Sequence, residues 1–329
     1  MGIGVLCGLL AGALWGMVFV APAWLAAFTP LQLAAGRYLA YGAMALLLLA
    51  PRLRSLLARL TRADLWALAR HALAGNLVYY VLLAYGVQYA GVAPTSLIVG
   101  MVPLVVTLLG RHDHGAVPLR RMLAPLLLVA VGIACINLDA FAHAPAAASG
   151  AAIAGGVLCA VGALLCWSWY ALDNARYLKR NPHFGSAEWS ALYGLATGVL
   201  ALTLAPFAFF GASPDSGAPD AVARDWTVFW ICNALLALGA SVIGNQLWNV
   251  ASRRVPVTLT GQLILFETLF ALLYGFVYRG AGPRPLEMAA VVLLVAGVAW
   301  SVRLHAAPAE ASGVSNAVDQ LTSDQRPSC

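Results

Sequence analysis

A chain of 329 residues that is 62% hydrophobic and 10% charged, with a mean hydropathy of +0.83, carries more apolar surface than any water-soluble domain needs. Its net charge of +6 is no sign of nucleic-acid binding, because the basic residues sit in short loops between apolar runs. A glycine-rich phosphate loop is absent from the sequence, which argues against a primary ATP-driven pump.

The runs predict an all-α integral membrane protein with ten spans, at 3–24, 31–50, 66–88, 93–110, 121–138, 151–172, 188–210, 226–250, 257–278 and 286–304. The first run lacks a basic lead-in and a small-residue cleavage site, so it reads as a retained helix. Trp15 lies deep in span one. Arg37, two turns into span two, is the one basic residue expected within a span. Span three carries Asn76, Tyr79, Tyr80, Tyr85 and Gln88. Asn245, Trp248 and Asn249 share a face of span eight by their i, i+3, i+4 spacing, and Gln262 opens span nine. These amides and aromatics read either as a lining for a small amphipathic solute or as interhelical glue, the second being favoured for Trp248 and Asn249 near the span end.

Glu267, in Phe266-Glu267-Thr268, is the acidic side chain well inside an apolar run. A carboxyl there is costly unless it is protonated, paired or facing water, which makes it a candidate functional group. About ten residues into its helix it lies some 15 Å deep, near the bilayer centre, with no basic residue expected at that depth. Asp173 and Arg176 are spaced for a local ion pair, and His112-Asp113-His114 reads as a solvated turn without further metal ligands. Cys7, Cys135, Cys159, Cys166 and Cys232 fall in spans and read as apolar packers.

Placing the N-terminus in the cytoplasm puts fourteen Lys and Arg on inside loops and span ends, from Arg52 to Arg303, against Arg224, Arg279 and Arg284 outside. Both termini are therefore expected in the cytoplasm of a plasma (inner) membrane protein. The loop from Gly211 to Asp225 is expected outside, and residues 305–329 form an expected disordered cytoplasmic tail.

The halves resemble each other at an offset of 152: Gly4-Val5-Leu6-Cys7 recurs as Gly156-Val157-Leu158-Cys159, Trp15 as Trp167, Pro30 as Pro182, and Tyr41-Gly42 as Tyr193-Gly194. Five spans per half reverse the chain direction, so residues 1–138 and 139–304 read as two inverted five-helix repeats, with a site expected at their interface. Trp15 and Trp167 then either line that site or pack the pseudo-twofold interface.

With Ala13-Leu14-Trp15-Gly16, Arg37, Pro103, Gly132-Ile133 and Gly297-Val298, residues 3–304 resemble the drug/metabolite transporter superfamily, in particular its EamA-type exporters. Where that family usually has a proline in span nine, this chain has approximately Glu267. The resemblance implies an exporter, not an enzyme, for small metabolites such as amino acids, working by alternating access. The substrate-binding candidates are Glu267, Arg37, Tyr79, Tyr80, Asn76, Trp15, Trp167, Asn245 and Gln262. Arg37 would clamp a carboxylate, with an apolar group against Tyr79 and Tyr80, and Glu267 would carry the coupling proton. The expected partners are a small-molecule substrate, the lipid bilayer and protons, with a homodimer left open and no nucleic acid, cofactor or metal. A membrane enzyme acting on lipid or a lipid-linked substrate is the alternative, but few reactive side chains cluster near one membrane face.

Overall fold

The computed structural model describes residues 1–19, 24–25, 27–90, 92–142, 150–210 and 224–306. Most of the expected outer loop and of the expected tail, 211–223 and 307–329, lies outside the described residues. Every regular element among the described residues is helical. Helix α1 is Gly2–Gly16, α2 Pro30–Leu49, α3 Leu53–Arg59, α4 Arg62–Ala72, α5 Val78–Ala90, α6 Val92–Val99, α7 Val102–Leu109 and α8 Leu119–Ala142. There follow α9 Gly150–Arg180, α10 Ser186–Phe210, α11 Trp226–Leu236, α12 Gly244–Arg254, α13 Val257–Leu263, α14 Leu265–Arg279 and α15 Pro285–Ala306.

Eight helical stretches among the described residues are long and apolar enough to cross a membrane, and Gly2–Gly16 and Leu97–Leu109 are shorter apolar helices. Several stretches depart from a plain α-helix. A π-helical turn, Leu73–Leu77, joins α4 to α5, and another, Ala237–Ile243, joins α11 to α12. The run at 93–110 breaks between Val99 and Val102, and the run at 257–278 breaks at Ile264. Such breaks and π turns release backbone groups from the regular ladder, and they occur often at functional sites.

Helix α2 packs along α10, α8 along α15, and α7 against α13. Helix α9 packs against α5, α6 and α7, and α1 against α12 and α14. The α2–α10 crossing is a backbone contact: a Cβ on Gly42 would stand 2.4 Å from the Gly198 Cα, and the reverse distance is the same. The central core gathers Trp15, Val106, Leu164, Trp248, Leu259 and Leu263 from five helices.

One end of the bundle holds Met1, the end of α15 and the basic residues at the helix ends, and is here termed the basic end. There α4, α9, α10 and α12 are tied by polar groups. His71 Nε2 donates to Asp173 Oδ2 at 2.7 Å, and Arg70 pairs with the same oxygen at 2.7 Å. Asp64 accepts from Tyr177 and His183, and Asn174 donates to Asn249, which donates to Ser190. The local Asp173–Arg176 pair expected from spacing does not form. Arg176 instead makes a bidentate contact with Asp113 at 3.0–3.1 Å, which also fixes the His112-Asp113-His114 turn. Cross-helix partners win here because their geometry brings two donors to Asp173 and a planar fork to Asp113. Glu188 caps Gly185 N and pairs with Arg59 at 3.3 Å.

Candidate functional site

Arg37 sits two turns into α2, a helix started by a capping box in which Thr29 Oγ1 accepts from Gln32 N and Gln32 Oε1 accepts from Thr29 N. Its Nε donates to Ser241 Oγ at 3.2 Å, on the second π turn, and its guanidinium lies 5.7 Å from the Tyr38 ring centre. The terminal amino groups have no hydrogen-bond partner among the described residues and face a cavity lined by Val18, Leu25, Leu33, Tyr80, Asn233 and Leu236. The Tyr80 ring meets Tyr38 edge-on at 6.2 Å.

Glu267 falls in the first turn of α14 because the chain breaks at Ile264. That position sets a carboxyl at a helix N-terminus, where the backbone dipole favours negative charge. Helix α1 packs against this turn at backbone distance, since a Cβ on Gly12 would lie 2.8 Å from Glu267 N. The side chain is partly accessible. Among the described residues its carboxylate has no hydrogen bond or ion pair. Arg37, Tyr79 and Glu267 are within electrostatic reach of one another. Contrary to the sequence expectation, a basic residue therefore does lie near Glu267. The folded helices bring Arg37 inward from its place two turns below the opposite end.

The other candidates fall in separate places. Asn76 lies in the first π turn and donates to Thr197 Oγ1 at 2.9 Å. Asn245 donates to the Tyr41 hydroxyl at 3.2 Å. Gln262 is fully buried between α13 and α7, donating to Thr107 Oγ1 at 2.7 Å. Trp15 and Trp167 form a trio with Trp248, their ring centres 5.2–6.4 Å apart. Trp15 Nε1 also donates at 2.8 Å to Ala240 O, a carbonyl of the second π turn. Trp248, favoured from the sequence as interhelical packing, is fully buried and lies against Trp15 and Trp167. Asn249 is interhelical glue, as expected.

Two residues absent from the sequence-based set matter here. Asn233 is 1% exposed and lines the cavity of Arg37, and Tyr41 is 1% exposed and hydrogen-bonded to two helices. Asn233 was visible as a polar residue in an apolar run, whereas nothing in its spacing linked it to Arg37. The arrangement is a small cavity bearing the Arg37 guanidinium and the Tyr80 ring, with the Glu267 carboxylate and Tyr79 within electrostatic reach of Arg37.

A family model for the EamA-like transporter family matches residues 2–138 and 154–303. The chain is 33% identical over 308 residues to "Inner membrane protein YtfF" of Escherichia coli (strain K12), covering 91% of this chain and 95% of that protein. A solved crystal structure that is 24% identical superposes with a TM-score of 0.72 over 92% of this chain and 97% of the other, showing a shared fold.

Proposed function

Since this chain belongs to the EamA-like transporter family, we propose that it is a proton-coupled secondary transporter of the inner membrane that exports small amphipathic metabolites such as amino acids. One observation carries this reading: Arg37 and Glu267 approach within electrostatic reach but not to ion-pair contact, and neither charged group is used up by the protein. A solute bearing a carboxylate and an amine fits such a gap, with the carboxylate in the guanidinium fork and its side group against Tyr79 and Tyr80. Proton uptake by Glu267 when the cavity faces outward would release the amine, and loss of the proton inward would reset the site.

Alternating access needs two halves that move, and several features support an inverted five-plus-five repeat. Counting α2–α3, α4–α5, α6–α7, α11–α12 and α13–α14 as single spans gives ten. The packing then runs span two on seven, four on nine and five on ten, while one on eight mirrors six on three. A π turn occurs in both span three and span eight, and Pro103 and Glu267 each lie just past a helix break. Both span two and span seven start with a side chain capping the residue three positions before it, Gln32 to Thr29 and Glu188 to Gly185. With the basic end in the cytoplasm, cysteines placed at Leu57 and Gly282 should be labelled from inside and outside respectively.

The test is flux. Purified protein in proteoliposomes with a pH gradient should move radiolabelled zwitterionic solutes. Glu267→Gln should fold and bind but lose the pH dependence of flux. A wild-type pH profile in Glu267→Gln would remove the coupling role.

A further inference from the structure

A cleft of about 280 Å³ opens at the basic end between α2, α10 and α12, distinct from the cavity of Arg37. Ala45 and Leu48 form part of its wall, and Arg52, Glu188 and Gln246 bring polar groups to it. The Gln246 side chain is exposed and has no hydrogen-bond partner among the described residues. An amide facing hydrocarbon would be costly, so the cleft suits water better than lipid.

The floor of the cleft is the ring of Tyr41. Its hydroxyl donates to Ser190 O on α10 at 2.9 Å and accepts from Asn245 on α12 at 3.2 Å. The ring lies so close to Gly194 that a Cβ there would stand 2.5 Å from it. One helical turn farther along α2 is Arg37. Tyr41, which lines the cleft, thus stands one turn from Arg37, which lines the cavity of the proposed site, and the hydrogen bonds holding it come from two other helices.

We infer that this cleft is the antechamber through which solutes reach the transport cavity from the basic end, and that Tyr41 is the gate between them. The inference rests on the transporter reading above. It assigns the hydroxyl, apart from the ring, the task of holding α2, α10 and α12 closed. Opening requires both bonds to break, and the displaced groups then meet water in the cleft.

The test uses a charged, membrane-impermeant methanethiosulfonate reagent applied to each face of sealed vesicles. Mass spectrometry of the peptides reports the adduct and so tolerates the native cysteines. Gln246→Cys should react from the face at the basic end whatever residue stands at 41. Leu236→Cys, in the Arg37 cavity, should react slowly from that face. Tyr41→Phe keeps the ring but not the bonds, and should raise the Leu236→Cys rate about tenfold, as expected for the loss of hydrogen bonds of ordinary strength. Tyr41→Ala should raise it further. An unreactive Gln246→Cys would show the cleft to be filled by lipid, and an unchanged Leu236→Cys rate in both Tyr41 variants would show that Tyr41 closes nothing. Either result overturns the inference. Failure of the transporter reading would appear separately, as absent flux with both labelling patterns intact.

Discussion

Replacing Gly12 by alanine should damage both stability and transport, because α1 and α14 touch through backbone at the level of Glu267. A Cβ at Gly12 would lie 2.5 Å from the Phe266 Cβ and 2.8 Å from both Glu267 N and Phe266 C. Ordinary contact begins near 3.4 Å, so the helices must separate by about 0.9 Å. None of the three obstructing atoms is the end of a flexible side chain, so a rotamer change cannot relieve the clash. Overpacking of this kind costs about 1–3 kcal/mol, which corresponds to roughly 2–10 °C in the unfolding midpoint of a domain this large. The displacement also shifts the turn that carries Glu267, and a misplacement of about 1 Å in a positioned site can cost on the order of a hundredfold in rate. Gly275→Ala is the matched control. It lies on α14 with nothing within 4 Å of the added carbon, and it should be neutral or gain about 0.5–1 kcal/mol from helix propensity. Thermal unfolding of detergent-purified protein and initial flux per unit of reconstituted protein read the two effects. If Gly12→Ala unfolds and transports like Gly275→Ala, the close approach of α1 to the Glu267 turn does not hold the site.

Arg37→Gln should abolish flux of carboxylate solutes, and Arg37→Lys should retain only a minor part, since an ammonium keeps the charge but not the two-pronged contact; equal flux in all three proteins would show that Arg37 is no clamp. Asp173→Asn should lower the unfolding midpoint, because it weakens the contacts of His71 and Arg70 and leaves a buried ring nitrogen poorly matched, a cost of about 1–3 kcal/mol. An unchanged midpoint would mean that the basic end is held by the Asp64 and Asn174 contacts alone.

The helices were legible because a bilayer-spanning segment announces itself by length and apolarity, and Glu267 because a carboxyl is rare in such a run. The internal breaks were harder to see: Gly100-Met101 and Ile264 are ordinary membrane residues, and only packing decides that the helix ends there. Pairing was harder still. Asp173 has a cation three residues away in sequence, yet its partners come from α4, because i,i+3 spacing offers a contact without ensuring it. Gln262 and Asn76 look alike in sequence, but one is sealed against α7 and the other reaches from the first π turn to Thr197 on α10. Tyr41 was noticed for the repeat, while its bonds to α10 and α12 depend on three helices meeting, which no spacing within α2 encodes.

The Gly42–Gly198 contact has a mechanical consequence. Two helices touching backbone to backbone at one point form a fulcrum. On α2 that point lies twelve residues from Pro30 and seven from Leu49, so the arms measure about 18 Å and about 10 Å. The leverage is unequal: a tilt that shifts the Leu49 end by about 2 Å swings the Pro30 end by nearly twice as much, in the opposite sense. Arg37 rides on the longer arm, five residues from the pivot, so a tilt of α2 carries the guanidinium across the cavity.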